Sequence, residues 1–394
     1  MTDILVELEQ RLAQYPRERY PIQHATVQFH LGTALVDAGR LDEAEAALRR
    51  AIELFAPLPL ERAKALNALG AALRIAGRAR DAADVFRDAE ASFGAAGSDV
   101  ERGAALFNLG LALREAGDSD AAIAAFEAAR GLLDEQRVPA QAGAAARELG
   151  AVLLARSEVD SAVRELSRGV ELAERAGDAP GIAAAANTLG LARLAAGDVD
   201  EAIDALRTAL AATSRAVRPA EYAMVKANLA LAYERVGDPP RARLAARQAL
   251  AVQAAAAAVV GQAESVLARL PPSTNDVAAV LEEEPADRHG AVVREEVLRW
   301  ADAGAGAEWI DVQLAFRDAA EPVLAALLEL PPEQMERVLR DALSALPRYD
   351  AKAREHFRAD VAGATARFHT PQLLRLRDVL DRLSAELGLD ERWS

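Results

Sequence analysis

The 394 residues contain no cysteine, which excludes disulfides, thiolate metal sites and a cysteine nucleophile and suits a reducing, cytoplasmic compartment. Aromatic residues are scarce, at 4%, so the bulky core of a typical sheet is hard to build, whereas helices meeting through small side chains fit well. Long apolar runs are missing as well. The longest weakly polar stretch, Ala249 to Gly261, is mostly alanine and is interrupted by Gln253, well short of the roughly 20 apolar residues that cross a bilayer. The first residues, Met1-Thr2-Asp3-Ile4-Leu5-Val6-Glu7, carry acids where a secretion signal needs cations. An excess of positive charge is also lacking: the net charge is −15, which repels phosphate backbones and argues against nucleic acid as a partner. What remains is a chain that is 52% hydrophobic, long enough for a large helical core and more than one domain.

A period is present in place of the missing features. Leu31-Gly32, Leu69-Gly70, Leu109-Gly110, Leu149-Gly150 and Leu189-Gly190 follow one another at steps of 38, 40, 40 and 40 residues, and Leu229-Ala230 is a sixth, degenerate copy 40 residues on. Twelve residues after each small residue stands Ala44, Ala82, Ala122, Ala162, Ala202 or Ala242. Four further on come Leu48, Phe86, Phe126, Leu166, Leu206 and Ala246, and three beyond those Ala51, Ala89, Ala129, Gly169, Ala209 and Ala249. Two antiparallel helices approach closely only where their contact positions carry little side chain, while larger neighbours fill the groove. The pattern therefore predicts helix, turn, helix in each copy.

Turn chemistry agrees. Gly39, Gly77, Gly117, Gly197 and Gly237 fall seven residues after the first small residue, where a helix closes on a left-handed residue. Asp42, Asp120, Asp160, Asp200 and Pro240 suit the cap or first turn of the second helix. The fourth copy has Ser157 in the glycine position, which predicts a strained or differently shaped turn there. With these residues in view, the pattern resembles the tetratricopeptide repeat in its longer form of about 40 residues. It departs from that motif in lacking an aromatic residue near the start of most first helices, with a tyrosine in the last repeat alone, at Tyr233. The resemblance implies an all-α fold: a right-handed α-solenoid of six helix-turn-helix repeats over residues 22–270, followed by a small C-terminal helical bundle. Residues 1–21 would form the front cap, with Ile4, Leu5, Leu8 and Leu12 on one stripe, and residues 252–270 the rear cap.

In such a solenoid the first helix of each pair lines the concave face. By helical phase its exposed stripe holds His30, Lys64, Asn67, Arg74, Phe107, Asn108, Arg114, Arg147, Asn187, Asn228 and Arg235. An amide offers donor and acceptor together, so recurring asparagines can pair with the backbone of an extended peptide, the purpose that the resemblance implies for them. Lys64, Arg74, Arg114 and Arg147 would favour carboxylates, whether acidic side chains or a chain terminus.

Pro271-Pro272-Ser273-Thr274-Asn275 ends the repeat and opens a third region, residues 271–394, of no recognised family. Residues 276–394 carry 24 acidic and 15 basic residues, a net of −9 that concentrates the chain's acidity. Five or six helices are expected. One begins at Pro331-Pro332-Glu333 with Met335, Leu339, Ala342 and Leu346 on a face; a last one begins at Thr370-Pro371 with Leu373, Leu376, Leu380, Leu383 and Leu387 on one side. Trp300, Trp309 and Phe316 are the expected core anchors. His289, His356 and His369, with Asp287, Glu355 and Asp360 nearby, are the candidates for a metal or proton-transfer site, but their spacing matches no metal motif. Neither a phosphate-cradling glycine loop nor a Gly-x-Ser-x-Gly elbow is present. The reading is a protein-binding scaffold or adaptor without catalytic residues, metal or cofactor, holding a protein or peptide in the groove; self-association through the C-terminal domain is compatible with it. The alternatives are a peptide-responsive intracellular regulator and, third, an enzyme centred in the C-terminal helices.

Overall fold

The computed structural model describes residues 2–273 and 275–389. Among them every regular element is helical: 21 α-helices and two short 3-10 segments. The fold class is all-α. The chain divides into two compact units, residues 1–198 and 199–394. This division is a different property from the loss of the forty-residue pattern after residue 270, and it leaves the last helical hairpin in the same unit as the C-terminal helices.

The first unit contains α1 (Thr2–Gln14), α2 (Pro21–Asp37), α3 (Leu41–Leu54), α4 (Pro59–Ile75), α5 (Ala79–Ala95), α6 (Asp99–Glu115), α7 (Ser119–Leu132), α8 (Pro139–Ala155), α9 (Val159–Ala176) and α10 (Ala179–Ala196). Proline at the first turn starts α2, α4, α8 and α10, where its missing N–H costs nothing. Helices α2 to α9 pair as four consecutive hairpins. Their contact is the one that the spacing predicts. A Cβ built on Gly32, Gly70, Gly110 or Gly150 would lie 2.6, 2.6, 2.5 and 2.6 Å from the side chains of Leu48, Phe86, Phe126 and Leu166. Those four side chains are fully buried, so each hairpin gains about 1.5–3 kcal/mol from one large residue only because its partner helix carries no side chain at that point. Ala44, Ala82, Ala122 and Ala162 are buried as well.

The turn of the fourth hairpin keeps its shape. Ser157 has φ +64°, and it is the one non-glycine residue with positive φ among the described residues. Its neighbour Glu158 closes onto the Leu153 carbonyl at 2.9 Å, as Asp118 does onto Leu113. The expectation of a differently shaped turn is thus corrected: the geometry is conserved and the strain is carried by Ser157, because the closing hydrogen bond demands the left-handed conformation whatever residue supplies it. Asp42, Asp120 and Asp160 lie in the first turn of their helices, and Asp118 supplies a cap, accepting from the Ala121 N–H at 3.2 Å.

Helix α1 covers the start of the array. Leu5 and Leu8 are buried against Val27, Leu31 and Leu35, with Leu12 packed beside them. Ile4 instead faces solvent, 56% exposed, because one position before Leu5 is about 100° round the helix and off the contact stripe.

The second unit contains α11 (Val199–Ala211), α12 (Pro219–Val236), α13 (Pro239–Leu250), α14 (Ala257–Arg269), α15 (Asp276–Glu283), α16 (Ala286–Ala303), α17 (Glu308–Ala315), α18 (Ala320–Glu329), α19 (Pro332–Ala345), α20 (Ala351–Thr365) and α21 (Thr370–Glu386). Helix α14 packs on both members of the α12–α13 hairpin, with Ala263 and Val266 fully buried. Seven α-helices follow the Pro271-Pro272 break, more than the five or six expected, because α15 and α17 have eight residues each and show no sustained apolar period. Their core gathers Trp300, Trp309, Val323, Leu327, Met335, Leu339, Phe357, Leu376, Leu380 and Leu383. Trp300 and Trp309 are fully buried and Phe316 packs at the edge. The side chain of Leu373 and the placement of Thr274 lie outside the described residues.

Candidate functional site

The face expected to bind a partner is built by the first helices of the hairpins. In the first unit these are α2, α4, α6 and α8. Each turns Leu and Ala residues toward its neighbours, such as Leu66, Leu69 and Leu73 on α4, and leaves a polar strip between them.

Along that strip the structure joins residues that are about 40 apart in sequence. Asn108 on α6 donates through Nδ2 to the Asn67 Oδ1 on α4 at 3.0 Å. Each amide has a second function, so this bond leaves the Asn67 N–H2 as a donor and the Asn108 Oδ1 as an acceptor on the same strip. The cations are paired too. Arg74 meets Glu115 at 2.7 Å, Lys64 meets Glu61 at 3.0 Å, and Arg114 and Arg147 share Glu148, the latter contact at 2.8 Å. Phe107 leans on Phe126 with ring centroids 5.8 Å apart, which makes it a support of the hairpin contact. His30 is exposed on α2, its ring edge against Phe29 at 5.3 Å.

Two expected groove residues are placed otherwise. Asn187 and Asn228 are buried, 5% and 4% exposed, and Asn228 accepts a hydrogen bond from Gln262 on α14 at 3.0 Å. Helical phase gives the direction of a side chain from its own axis and says nothing of what later covers it. Arg235 lies in the last turn of α12. Glu115 and Glu148 belong to the strip but were missed by sequence reasoning. The signal available was position: each directly follows an arginine, Arg114 or Arg147, on a first helix.

Cavities of the first unit lie elsewhere. One of about 500 Å³ is lined by Arg80, Asp84, Arg87, Leu113 and Gly117; another of about 360 Å³ is lined by Asp120, Glu127, Leu153, Arg156 and Glu165. Both are notches beside the hairpin turns. The second unit has a cleft of about 890 Å³ among α16, α18 and α20. Alanines and glycines, including Gly290 and Gly363, form much of its wall, and the ion pairs Arg317–Asp360 and Arg367–Glu321 stand at it. His289 lines it, bonded to the Glu284 carbonyl at 2.9 Å and edge-on to Phe316. His356 and His369 are exposed and the cleft does not include them. Asp360 pairs with Arg317. The three histidines are therefore not brought together, and among the described residues no group of three His, Asp or Glu side chains could hold a metal ion.

A second polar cluster sits in the same unit. Arg243 on α13 clasps Asp276 of α15 at 2.6 Å, the two side chains 7% and 1% exposed. Lys226 on α12, also buried, meets Glu295 of α16 at 3.1 Å, and the Tyr222 hydroxyl donates to the same carboxylate. Burial pushes the Lys226 amine below its ordinary range against the pull of Glu295, and it pushes the Tyr222 phenol far upward. For Glu295 burial acts to raise the carboxyl, but the Lys226 charge and the hydrogen bonds from Tyr222 and Lys226 outweigh it and hold the group below the usual carboxylate range.

Two family models, both described as Tetratricopeptide repeat, match the chain, one over residues 23–95 and 141–215 and the other over residues 86–137. The chain is a tetratricopeptide repeat protein. Tetratricopeptide repeats are in general a protein-interaction scaffold. No curated protein matches the chain. Among solved structures, it is similar to pilF of Pseudomonas aeruginosa, at 16% identity over 62% of this chain and 97% of that one with a TM-score of 0.47. It is similar to BtubC (BKLC) from P. vanneervenii, at 19% identity over 59% and 94% with a TM-score of 0.46. Aspartyl phosphate phosphatase F from Bacillus subtilis is similar at 13% identity over 68% and 79% with a TM-score of 0.48. Among the described residues of this tetratricopeptide repeat protein no helix is long and apolar enough to cross a membrane.

Proposed function

We propose that this tetratricopeptide repeat protein is a non-catalytic adaptor that captures a peptide or protein segment along the polar strip of α4, α6 and α8. The observation that carries the reading is the Asn108–Asn67 bond: it holds two amides in a fixed orientation, with the Asn67 N–H2 and the Asn108 Oδ1 left for a partner's backbone. The neighbouring cations suit a segment bearing carboxylates. Arg74 holds Glu115 in a half-exposed pair, and such pairs contribute about 0–1 kcal/mol, so an incoming carboxylate can replace Glu115 at little cost; Arg114 and Arg147, themselves partly exposed, share the largely buried Glu148 and carry further N–H donors for a second carboxylate. The strip thus exchanges an internal acid for an external one.

The test is the triple substitution Asn108→Ala, Arg114→Ala and Arg147→Ala in the full chain. Partner capture from cell extract is expected to be lost while helicity and melting are retained. Capture at the original level would remove the strip from the proposal.

A further inference from the structure

The side of hairpin α12–α13 that meets the C-terminal helices differs from the contacts between repeats of the first unit. Three residues before the repeat's Leu, the second to fifth copies have Leu66, Leu106, Ala146 and Ala186, all buried. The sixth has Lys226, which reaches Glu295 of α16. Helix α13 carries Arg241, Arg243 and Arg247 and no acid. All three arginines pair with carboxylates of residues 276–284: Arg241 with Glu283 and Glu284 besides Asp238 of its own hairpin, and Arg243 and Arg247 with Asp276. Gln248 adds a hydrogen bond to the buried Glu296 at 2.6 Å. The apolar part of this seam is small. Among the buried members of the core that runs from Val277 to Leu383, Leu244 is the one side chain supplied from the hairpin.

We propose that this seam is a latch, which opens while the hairpin and the C-terminal helices each stay folded and thereby bares a basic face fitted to an acidic partner segment. Three physical points support it. A core that closes on itself except for one leucine does not need the hairpin to stay packed. Buried ion pairs often stabilise no more than apolar packing of the same volume, because desolvation offsets much of their attraction, and opening the seam returns both charges to water. The face so bared carries Lys226, Arg241, Arg243 and Arg247, and helices α15 and α16, which cover it, show that an acidic helical segment is the shape and charge that fits.

The absence of native cysteine makes the test direct. Leu244→Cys places a thiol in the seam, and Ala342→Cys places one inside the C-terminal core, where Ala342 is fully buried. Labelling by a maleimide under native conditions is expected to be at least about tenfold faster at position 244 than at 342. Adding Asp276→Asn, which strips the Arg243 charge of its partner, should quicken the first about tenfold more and leave the second unchanged. Poly-glutamate should quicken labelling at 244, and an uncharged polymer of the same length should not. Equal rates at the two positions, or an equal rise at both with Asp276→Asn, would show that the seam opens only by unfolding and would overturn the latch. Failure of poly-glutamate to act would overturn the acidic partner. If Leu244→Cys does not fold, Gln248→Cys reports the same seam.

Discussion

Gly110 is the sharpest place to perturb the repeat. A methyl group there would sit 2.5, 2.7 and 2.8 Å from three carbons of the Phe126 ring, against an ordinary separation of about 3.5–4.0 Å. The ring is fully buried and rests against Phe107, so it has no free volume to enter. Overpacking of this kind costs about 1–3 kcal/mol, while replacing a mid-helix glycine by alanine returns about 1 kcal/mol of backbone entropy. With three ring carbons in conflict the balance for Gly110→Ala is a loss of about 1–2 kcal/mol. Phe126→Ala alone should cost about 3–5 kcal/mol through the cavity it leaves. In that background the clash is gone, so Gly110→Ala should now stabilise by about 1 kcal/mol. The sign of one substitution thus reverses with the residue across the hairpin, a coupling of about 2–3 kcal/mol. Urea denaturation followed by circular dichroism, with hydrogen exchange of amides in α6 and α7 to localise the effect, measures all four corners of the cycle. Equal destabilisation by Gly110→Ala in the wild-type and Phe126→Ala backgrounds would refute the argument that the glycine exists to admit the ring. The sixth copy already shows the matched small pair, with Ala230 and Ala246 at the two positions.

Ser157→Gly should raise stability by about 0.5–1 kcal/mol: it relieves about 1–2 kcal/mol of left-handed strain, less the extra entropy glycine loses on folding; an unchanged thermal midpoint would mean that Ser157 carries no strain. Glu295 is held below the usual carboxylate range, so its contribution to stability is present above the unfolded carboxyl value and is lost as pH falls through the lower folded one. Wild type should therefore exceed Glu295→Gln in melting temperature at neutral pH, and the gap should close on the acid side. A gap that widens toward acid would invert the assignment. Asn67→Ala should weaken capture of a partner about as much as Asn108→Ala, since either removes the paired amides; retention of capture in both variants would place the recognition elsewhere.

The hairpins are legible in the sequence, for a local reason. The residues that meet, such as Gly110 and Phe126, are sixteen apart, and a helix, a closing turn and a second helix bring that spacing together irrespective of the rest of the chain. Leu5 and Leu8 were legible for the same reason, as was the burial of Trp300 and Trp309. The strip was legible only in part. Its asparagines and arginines could be assigned to a face, yet their partners Glu115 and Glu148 stand 41 and 34 residues from Arg74 and Arg114, and no pattern within one helix predicts which carboxylate a long side chain will reach.

By itself, then, the sequence determined the elements and their pairing within each hairpin, because small residues facing large ones admit one close approach and the turn residues set where each helix stops. The tertiary structure alone decided which polar groups remain available. Asn187 and Asn228 share the residue type of Asn67 and Asn108 but are buried, and Lys226 sits where the first copy has Gln28 and the second to fifth have leucine or alanine, stabilised by a carboxylate 69 residues away. Exposure and charge pairing depend on segments distant in sequence, and those are positioned only when the whole unit packs.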